Sequence, residues 1–286
     1  MKHYLKLMRI HHYIKNFLVF ATLICSGQLF VFEKLKSGIF AFIIFCMVSS
    51  SVYIFNDIRD KDNDSKHPTK CNRPIANGTI SIRKAYALFI ILLAIAIICN
   101  CIVFNIISTA ILILYLILNC AYSLGLKNIP LVDISILVAG FLIRILYGAI
   151  VMDITISNWL YLTVIAFALY FALGKRRNEL KQINDGRTRQ VLKLYSFSFL
   201  DKNMQMSMTL ANVFYALWSM DKKTICLYDN EYLIFTVPIV LLITMKYSLD
   251  VEGVSDGDPV EVLIHDKILF GLCTLYLIVM LLLLYL

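Results

Sequence analysis

Charge is scarce in this sequence. Asp, Glu, Lys and Arg make up only 16% of 286 residues, while 60% are apolar and the mean hydropathy is +0.77. An ordinary soluble domain is roughly a quarter charged, so a water-soluble globule is excluded. Proline (5) and glycine (11) are also few, which rules out a collagen-like or low-complexity chain. The eight cysteines stand singly, with no CxxC pair and no His/Cys cluster at ligand spacing. Neither a disulfide framework nor a structural zinc is expected. No small-residue cleavage site follows the opening "MKHYLKLMRIHHYIK", so the N-terminus is read as retained.

Long apolar runs, by contrast, are abundant. A run such as "LFIILLAIAIICNCIVF" is apolar on every face, unlike the alternating strands of a transmembrane barrel. The expected fold is therefore all-α, a polytopic membrane protein forming one integral-membrane domain over residues 1–286. Hydropathy suggests nine spans, near 17–31, 38–55, 85–104, 106–123, 132–151, 158–173, 206–220, 232–248 and 268–286. The loops and N-terminal segment on one side of this arrangement hold 22 of the 27 Lys and Arg residues. By the positive-inside rule the N-terminus and these loops are cytoplasmic and the C-terminus lies outside, in a plasma or inner membrane. The +8 balance fits topology and attraction to anionic headgroups. Nucleic acid is not an expected partner, because the cations are spread over separate loops without a recognisable module.

The most informative segment is "YIFNDIRDKDNDSKHPTKCNRPIANGTIS", residues 53–81, where the second span leaves the membrane. A continuing helix stacks Asn56, Asp60 and Asp64 on one face at i, i+4 and i+8. Carboxylates at that spacing repel unless a divalent cation lies between them, and oxygen-only ligands suit Mg2+. The other reading is a solvated acidic turn, which rarely continues straight from an apolar span. Asp57 and Asp62 point off this face and are weaker ligand candidates. Lys66, His67, Lys70 and Arg73 follow as phosphate donors, and Pro68, Pro74 and Gly78 allow the stretch to fold back as a lid. A metal site flanked by such donors binds a diphosphate and neutralises it as it leaves.

These residues resemble the UbiA superfamily of intramembrane prenyltransferases, whose NDxxDxxxD signature is matched by Asn56, Asp57, Asp60 and Asp64. The continuation "HPTKCNRPIANG" is similar to the decaprenyl-phosphate phosphoribosyltransferase branch. So are "YIKNFLVFA", "YSLGLKNIPLVDISILVAGFLIRILYGA", "GKRRNEL" and "DGDPVEVLIHDKILFGL", so the likeness runs from about Arg9 to Leu272. The resemblance implies a nine-helix bundle with a cytoplasmic active site and Mg2+ at Asn56, Asp60 and Asp64. It implies catalytic roles for Asp57, Asp60, Asp64 and Asp133. It also implies transfer of 5-phosphoribose from phosphoribosyl diphosphate to a polyprenyl phosphate, a step in building cell-wall polymers.

Typical family members carry a second aspartate-rich motif for a second metal, whereas this sequence has only Asp133 at the corresponding place. That departure fits a branch in which the diphosphate sits on ribose and the lipid phosphate attacks. Lys15 and Asn16 match the "KN" of the first signature, and Lys175, Arg176 and Glu179 match a KRxxEL stretch. Six basic residues between Lys175 and Arg189 form a second cationic lobe. Tyr122, Ser123 and Lys127 sit at the rim before the fifth span, placed for phosphate or ribose. Within that span Asp133 and Arg144 share a face with Gly140 and Gly148, glycines that suit close helix packing. An intramembrane arginine faces a polar partner, either to lock helices or to contact substrate, and both readings stand. His3, His11 and His12 read as interfacial, and Asp256, Asp258 and Glu261 as caps of a late helix.

Two further functions compete with phosphoribosyl transfer. A prenyltransferase using prenyl diphosphate and an aromatic acceptor would need the missing second acidic cluster. A transporter lined by Asp133 and Arg144 would place its polar residues at the midplane, yet they crowd one end. The partners expected are polyprenyl phosphate, phosphoribosyl diphosphate and membrane lipid, with a homo-oligomer left open.

Overall fold

The structure is a computed structural model that describes residues 2–66, 70–181, 190–253 and 258–285. Among the described residues there are helices and turns and no strand. His67, Asp256 and the basic residues Arg187 and Arg189 of the expected second lobe lie outside the described residues. The chain groups into two compact units. The first comprises Met1–Leu23, Leu29–Ile136 and Ile143–Ile154, and the second Ile24–Gln28, Leu137–Leu142 and Thr155–Leu286.

Among the described residues seven helices are long and apolar enough to cross a membrane. In the first unit they are α3 (Phe32–Arg59), α5 (Ile82–Val103), α6 (Ile106–Leu124) and α7 (Val132–Met152), although the middle of α7 groups with the second unit. In the second unit they are α8 (Asn158–Lys181), the stretch Tyr232–Glu252 that contains α11 (Val237–Glu252), and α13 (Lys267–Tyr285). The chain is thus a multi-pass membrane protein. Lipid-facing surface explains an otherwise odd feature: α5 has Ile90, Ile91, Ile95, Ile98 and Ile102 exposed, which hydrocarbon solvates without cost. Polar residues define the ends. Ser81 accepts from Lys84 N at the start of α5, and Asn105 from Ser108 N at the start of α6 (2.8 Å).

Two of the nine expected spans differ. The stretch near 17–31 is not one α-helix. It is preceded by α1 (Lys2–Met8), then follows a 3₁₀ helix over Ile10–Phe20 and a single turn α2 (Ala21–Ile24), before Gly27 takes a left-handed φ of 70°. Within the 3₁₀ helix Asn16 is buried and its amide donates to α3, to Ser49 Oγ (3.0 Å) and Cys46 Sγ (3.2 Å). A 3₁₀ helix rises about 2.0 Å per residue, so Ile10 to Ile24 still reaches about 28 Å, close to the hydrocarbon thickness. The stretch near 206–220 falls in α9 (Phe197–Ser219) and its C-cap, and the first turns of α9 carry Asp201, Lys202, Asn203 and Gln205, which dilute its apolarity; the short α10 (Lys222–Tyr228) follows.

The 3₁₀ segment packs directly on α7 in the first unit. A Cβ on Gly148 would lie 2.0 Å from the Val19 carbonyl oxygen, and backbone cannot give way as a side chain can. Gly148→Ala should therefore destabilise the protein by about 1–3 kcal/mol or more through overpacking, read as a lowered melting temperature in detergent or nanodiscs. An unchanged melting temperature would show that the close approach is not required.

Candidate active site

The polar end of α3 builds the site in the first unit. α3 stops at Arg59, Asp60 sits at a junction (φ −92°, ψ 5°), and α4 (Lys61–Ser65) resumes. Helical bonds bridge the break, Asp60 N to Asn56 O at 2.9 Å and Asp64 N to Asp60 O at 2.8 Å. The one-turn register of Asn56, Asp60 and Asp64 therefore persists into α4, as their spacing predicts.

Each of these side chains has a partner from elsewhere in the unit. Lys127 Nζ pairs with Asp60 Oδ1 at 2.6 Å. Ser123 Oγ, near the end of α6, lies 3.0 Å from Asn56 Oδ1 and can donate to it. Arg73 Nη1 pairs with Asp64 Oδ2 (2.6 Å) and reaches Asp57 Oδ1 (3.1 Å), which also receives Arg9 Nη2 at 2.6 Å. Arg9, Asp57, Arg73 and Asp64 thus form one chain of ion pairs. Asp57 is its most enclosed member, only 3% exposed, where the helical-face argument makes it peripheral. Burial pushes the Asp64 carboxyl above the ordinary carboxylate range, with the Arg73 charge opposing and the Asp57 charge adding to the rise. Neither Asp57 nor Asp64 is splayed into solvent.

The remaining expected residues fall in several places. Lys70 is half-buried and close enough to act on the Asp64 charge, and Lys66 is exposed. Tyr122 is half-buried on α6, Lys15 is half-buried in the 3₁₀ segment, and Asp133 is fully buried in the first turn of α7. Asn16 and Arg144 come together at a different level of α3. Arg144 Nε donates to Asn16 Oδ1 (2.9 Å) and Nη2 to Tyr115 OH (3.1 Å), with its guanidinium over the Phe45 ring at 5.1 Å. Phe45 precedes Asn56 by eleven residues, roughly 16 Å of helix. Of the two roles open for Arg144, these contacts describe helix locking.

In the second unit, Lys175 pairs with Asp258 (3.0 Å) and Arg176 with Glu179 (2.6 Å). Arg177 pairs with Asp201, and Lys181 caps the end of α11 through Glu252 O (2.7 Å). Asp258 also accepts from Val260 N at 3.1 Å, the expected cap of α12 (Pro259–His265). Asp266 binds Lys246 (2.6 Å) and caps α13 through Leu269 N, and the Lys246 bond chiefly holds its carboxyl below the usual range. A lowered carboxylate pKa contributes stability above the unfolded-state value and loses it as pH falls through the folded value. Asp266→Asn should thus lower the melting temperature at neutral pH, with the difference from wild type closing below about pH 4. A pH-independent difference would contradict that assignment.

Residue spacing misses Arg9 altogether, because its partner Asp57 is 48 residues away. The same holds for Lys127 on Asp60, 67 residues apart. Whether the cluster suits a metal depends on its donors. Among the described residues no group of three or more His, Cys, Asp or Glu side chains forms a ready metal cage. Mg2+ does not need one, since it binds through one or two carboxylates, waters and substrate phosphate. The oxygen-only set of Asn56, Asp60 and Asp64 fits that chemistry.

A multi-pass helical fold with an acidic, cation-flanked helix end defines an intramembrane transferase, and the chain belongs to the UbiA prenyltransferase family, whose model matches residues 17–249. It is 33% identical to the decaprenyl-phosphate phosphoribosyltransferase of Mycolicibacterium smegmatis, over 93% of this chain and 87% of that one. The decaprenyl-phosphate phosphoribosyltransferase of Corynebacterium glutamicum is 31% identical over 93% of this chain and 81% of its own. In fold, the chain resembles a UbiA homolog from Archaeoglobus fulgidus bound to GPP and Mg2+, with TM-score 0.71 and 15% identity over 98% and 99% of the two chains.

Removing one partner of a buried pair leaves an uncompensated charge, whereas a more exposed pair is cheap to lose. Asp57→Asn should cost about 3–5 kcal/mol of stability and Asp60→Asn, on a pair about one-fifth exposed, about 1 kcal/mol or less. Equal losses in thermal unfolding would contradict the burial ranking.

Proposed function

We propose that the protein transfers the 5-phosphoribosyl group of phosphoribosyl diphosphate to the phosphate of a polyprenyl, decaprenyl-type lipid and releases diphosphate. The observation that carries this reading is the cluster at the end of α3, where Arg73 and Lys127 stand against the aspartates of an NDxxDxxxD row. The likeness to two decaprenyl-phosphate phosphoribosyltransferases over nearly the whole chain supports it. So does the presence of Asp133 alone where a second acidic motif would serve a prenyl diphosphate.

In this reaction the bond from ribose C1 to the diphosphate oxygen breaks, and an oxygen of the lipid phosphate bonds to C1. The nucleophile is already anionic near neutral pH, so no strong general base is required. Catalysis then rests on positioning and neutralisation. Mg2+ held by Asn56, Asp60 and Asp64 would supply charge to the departing diphosphate. Arg73 offers a planar fork and Lys66, Lys70 and Lys127 point charges to phosphate oxygens, with His67 a further donor by its place in the motif. Asp57 holds Arg73 in place. Lys15 and Tyr122 are proposed contacts at the rim and Asp133 a further carboxylate; on sequence pattern alone Lys175 and Arg176 are proposed for phosphate, and Glu179 as the substrate-site residue that pairs with Arg176. The distribution of Lys and Arg supports a cytoplasmic site, reached by the sugar phosphate from water and by the lipid from the bilayer.

The GPP-bound fold relative keeps one alternative in view, prenyl transfer to an aromatic acceptor. Membranes containing the protein, given radiolabelled phosphoribosyl diphosphate, magnesium and polyprenyl phosphate, should move label into the organic phase. Chelating the magnesium should stop this, and Asp64→Asn should lower it roughly 100-fold or more. No labelled lipid, together with transfer from prenyl diphosphate to an aromatic acid, would replace this function with the alternative.

A further inference from the structure

Arg9 stands outside the acidic motif and the cationic loop, yet the first unit is shaped to receive it. Its backbone lies in the left-handed region (φ 52°, ψ 53°), which a non-glycine residue seldom adopts, at the break between α1 and the 3₁₀ segment. Its guanidinium lies 4.9 Å from the Tyr53 ring centroid while Nη2 bonds Asp57 Oδ1 at 2.6 Å. Tyr53 and Asp57 are one helical turn apart on α3, so ring and carboxylate together form a socket for an arginine. Flanking bonds fix the segment. Ser50 Oγ donates to Met8 O (3.0 Å), Tyr13 and Ser50 hydroxyls meet at 2.8 Å, and Lys6 Nζ donates to Asn72 O (3.0 Å).

The consequence falls on Arg73. Both guanidiniums reach the same oxygen of Asp57, Arg9 at 2.6 Å and Arg73 at 3.1 Å, while Arg73 makes its shorter bond, 2.6 Å, to Asp64. Two like charges on one oxygen compete, and the nearer one weakens the hold on the other. We propose that Arg9 is a positioning residue: by occupying Asp57 it keeps Arg73 from being drawn fully onto that carboxylate and leaves its fork available, between Asp57 and Asp64, for a substrate phosphate. The role of Arg73 toward phosphate rests on the function proposed above; the hold of Arg9 on the Arg73 turn does not. Without Arg9, Asp57 claims Arg73 and the turn Lys70–Asn72 that precedes it shifts, since Arg73 N bonds Lys70 O at 2.9 Å.

Arg9→Gln tests this with two readouts on the full-length protein. In steady-state transfer, KM for phosphoribosyl diphosphate should rise roughly tenfold, the scale of one charge-assisted bond, while kcat falls by less. Without any substrate, alkylation of Cys71, which is half-buried in the Lys70–Asn72 turn, should change in rate severalfold, followed by mass spectrometry of that peptide. Asp57→Asn removes the carboxylate that would claim Arg73, so most of the KM rise and of the Cys71 change caused by Arg9→Gln should be lost in the Arg9→Gln, Asp57→Asn double variant. An unchanged KM or an unchanged Cys71 rate in a folded Arg9→Gln protein overturns the proposal, as does an equal loss in kcat. A wild type that makes no ribosylated lipid would sink the proposed function instead. The Cys71 rate then decides alone whether Arg9 sets the Arg73 turn.

Discussion

A carboxylate enclosed where a membrane helix meets water has to be neutralised, and Asp57 is the residue around which the first unit satisfies that demand. Its Oδ1 takes Arg9 from the N-terminal segment and Arg73 from the loop after α4. Two stretches of chain far apart in sequence are thereby tied to one point on α3. Arg73 passes the charge on to Asp64, and Lys127 answers Asp60. Three carboxylates meet three cations, so the cluster is close to neutral by itself. A highly anionic sugar phosphate would have to enter by exchanging partners rather than by meeting a bare field.

Deeper along α3 the same physics takes a different form. Arg144 is held by the Asn16 amide and the Tyr115 hydroxyl against aromatic rings. Tyr147 OH donates to Asn100 Oδ1 at 2.7 Å, and the Asn100 amide in turn reaches Ser108 and Thr109. These buried polar groups join the 3₁₀ segment, α5, α6 and α7 where hydrophobic burial provides little specificity, since lipid is as apolar as the helix faces. Gly148 lets the 3₁₀ backbone sit close enough for Asn16 to reach. The membrane fold and the site thus share one scaffold, with locks at one level of α3 and ion pairs at its end.

Much of this was legible beforehand. Seven spans appear where hydropathy puts them, because hydrocarbon demands about 20 apolar residues in a row and tolerates little ambiguity. The stretch near 17–31 is built from a 3₁₀ helix and a single α turn rather than one α-helix, a difference that apolar content alone does not reveal. The row Asn56, Asp60 and Asp64 was visible because i, i+4 spacing is a property of any helix, and a small break at Asp60 left it intact. The same periodicity makes Asp57 peripheral, since helical repeat is set within one helix and not by what packs beside it.

Composition and local periodicity alone determined that this is a multi-pass helical membrane protein and that oxygen ligands line the end of its second apolar run. Both follow from forces acting within about one helix, solvation of side chains by lipid and the repeat of the helix itself. Tertiary structure alone decided which cation answers which carboxylate, that Arg9 belongs to the cluster, and that Arg144 meets Asn16 and Tyr115. Those pairings join residues 9 to 128 positions apart, and the distant ones meet only when packing brings their segments together.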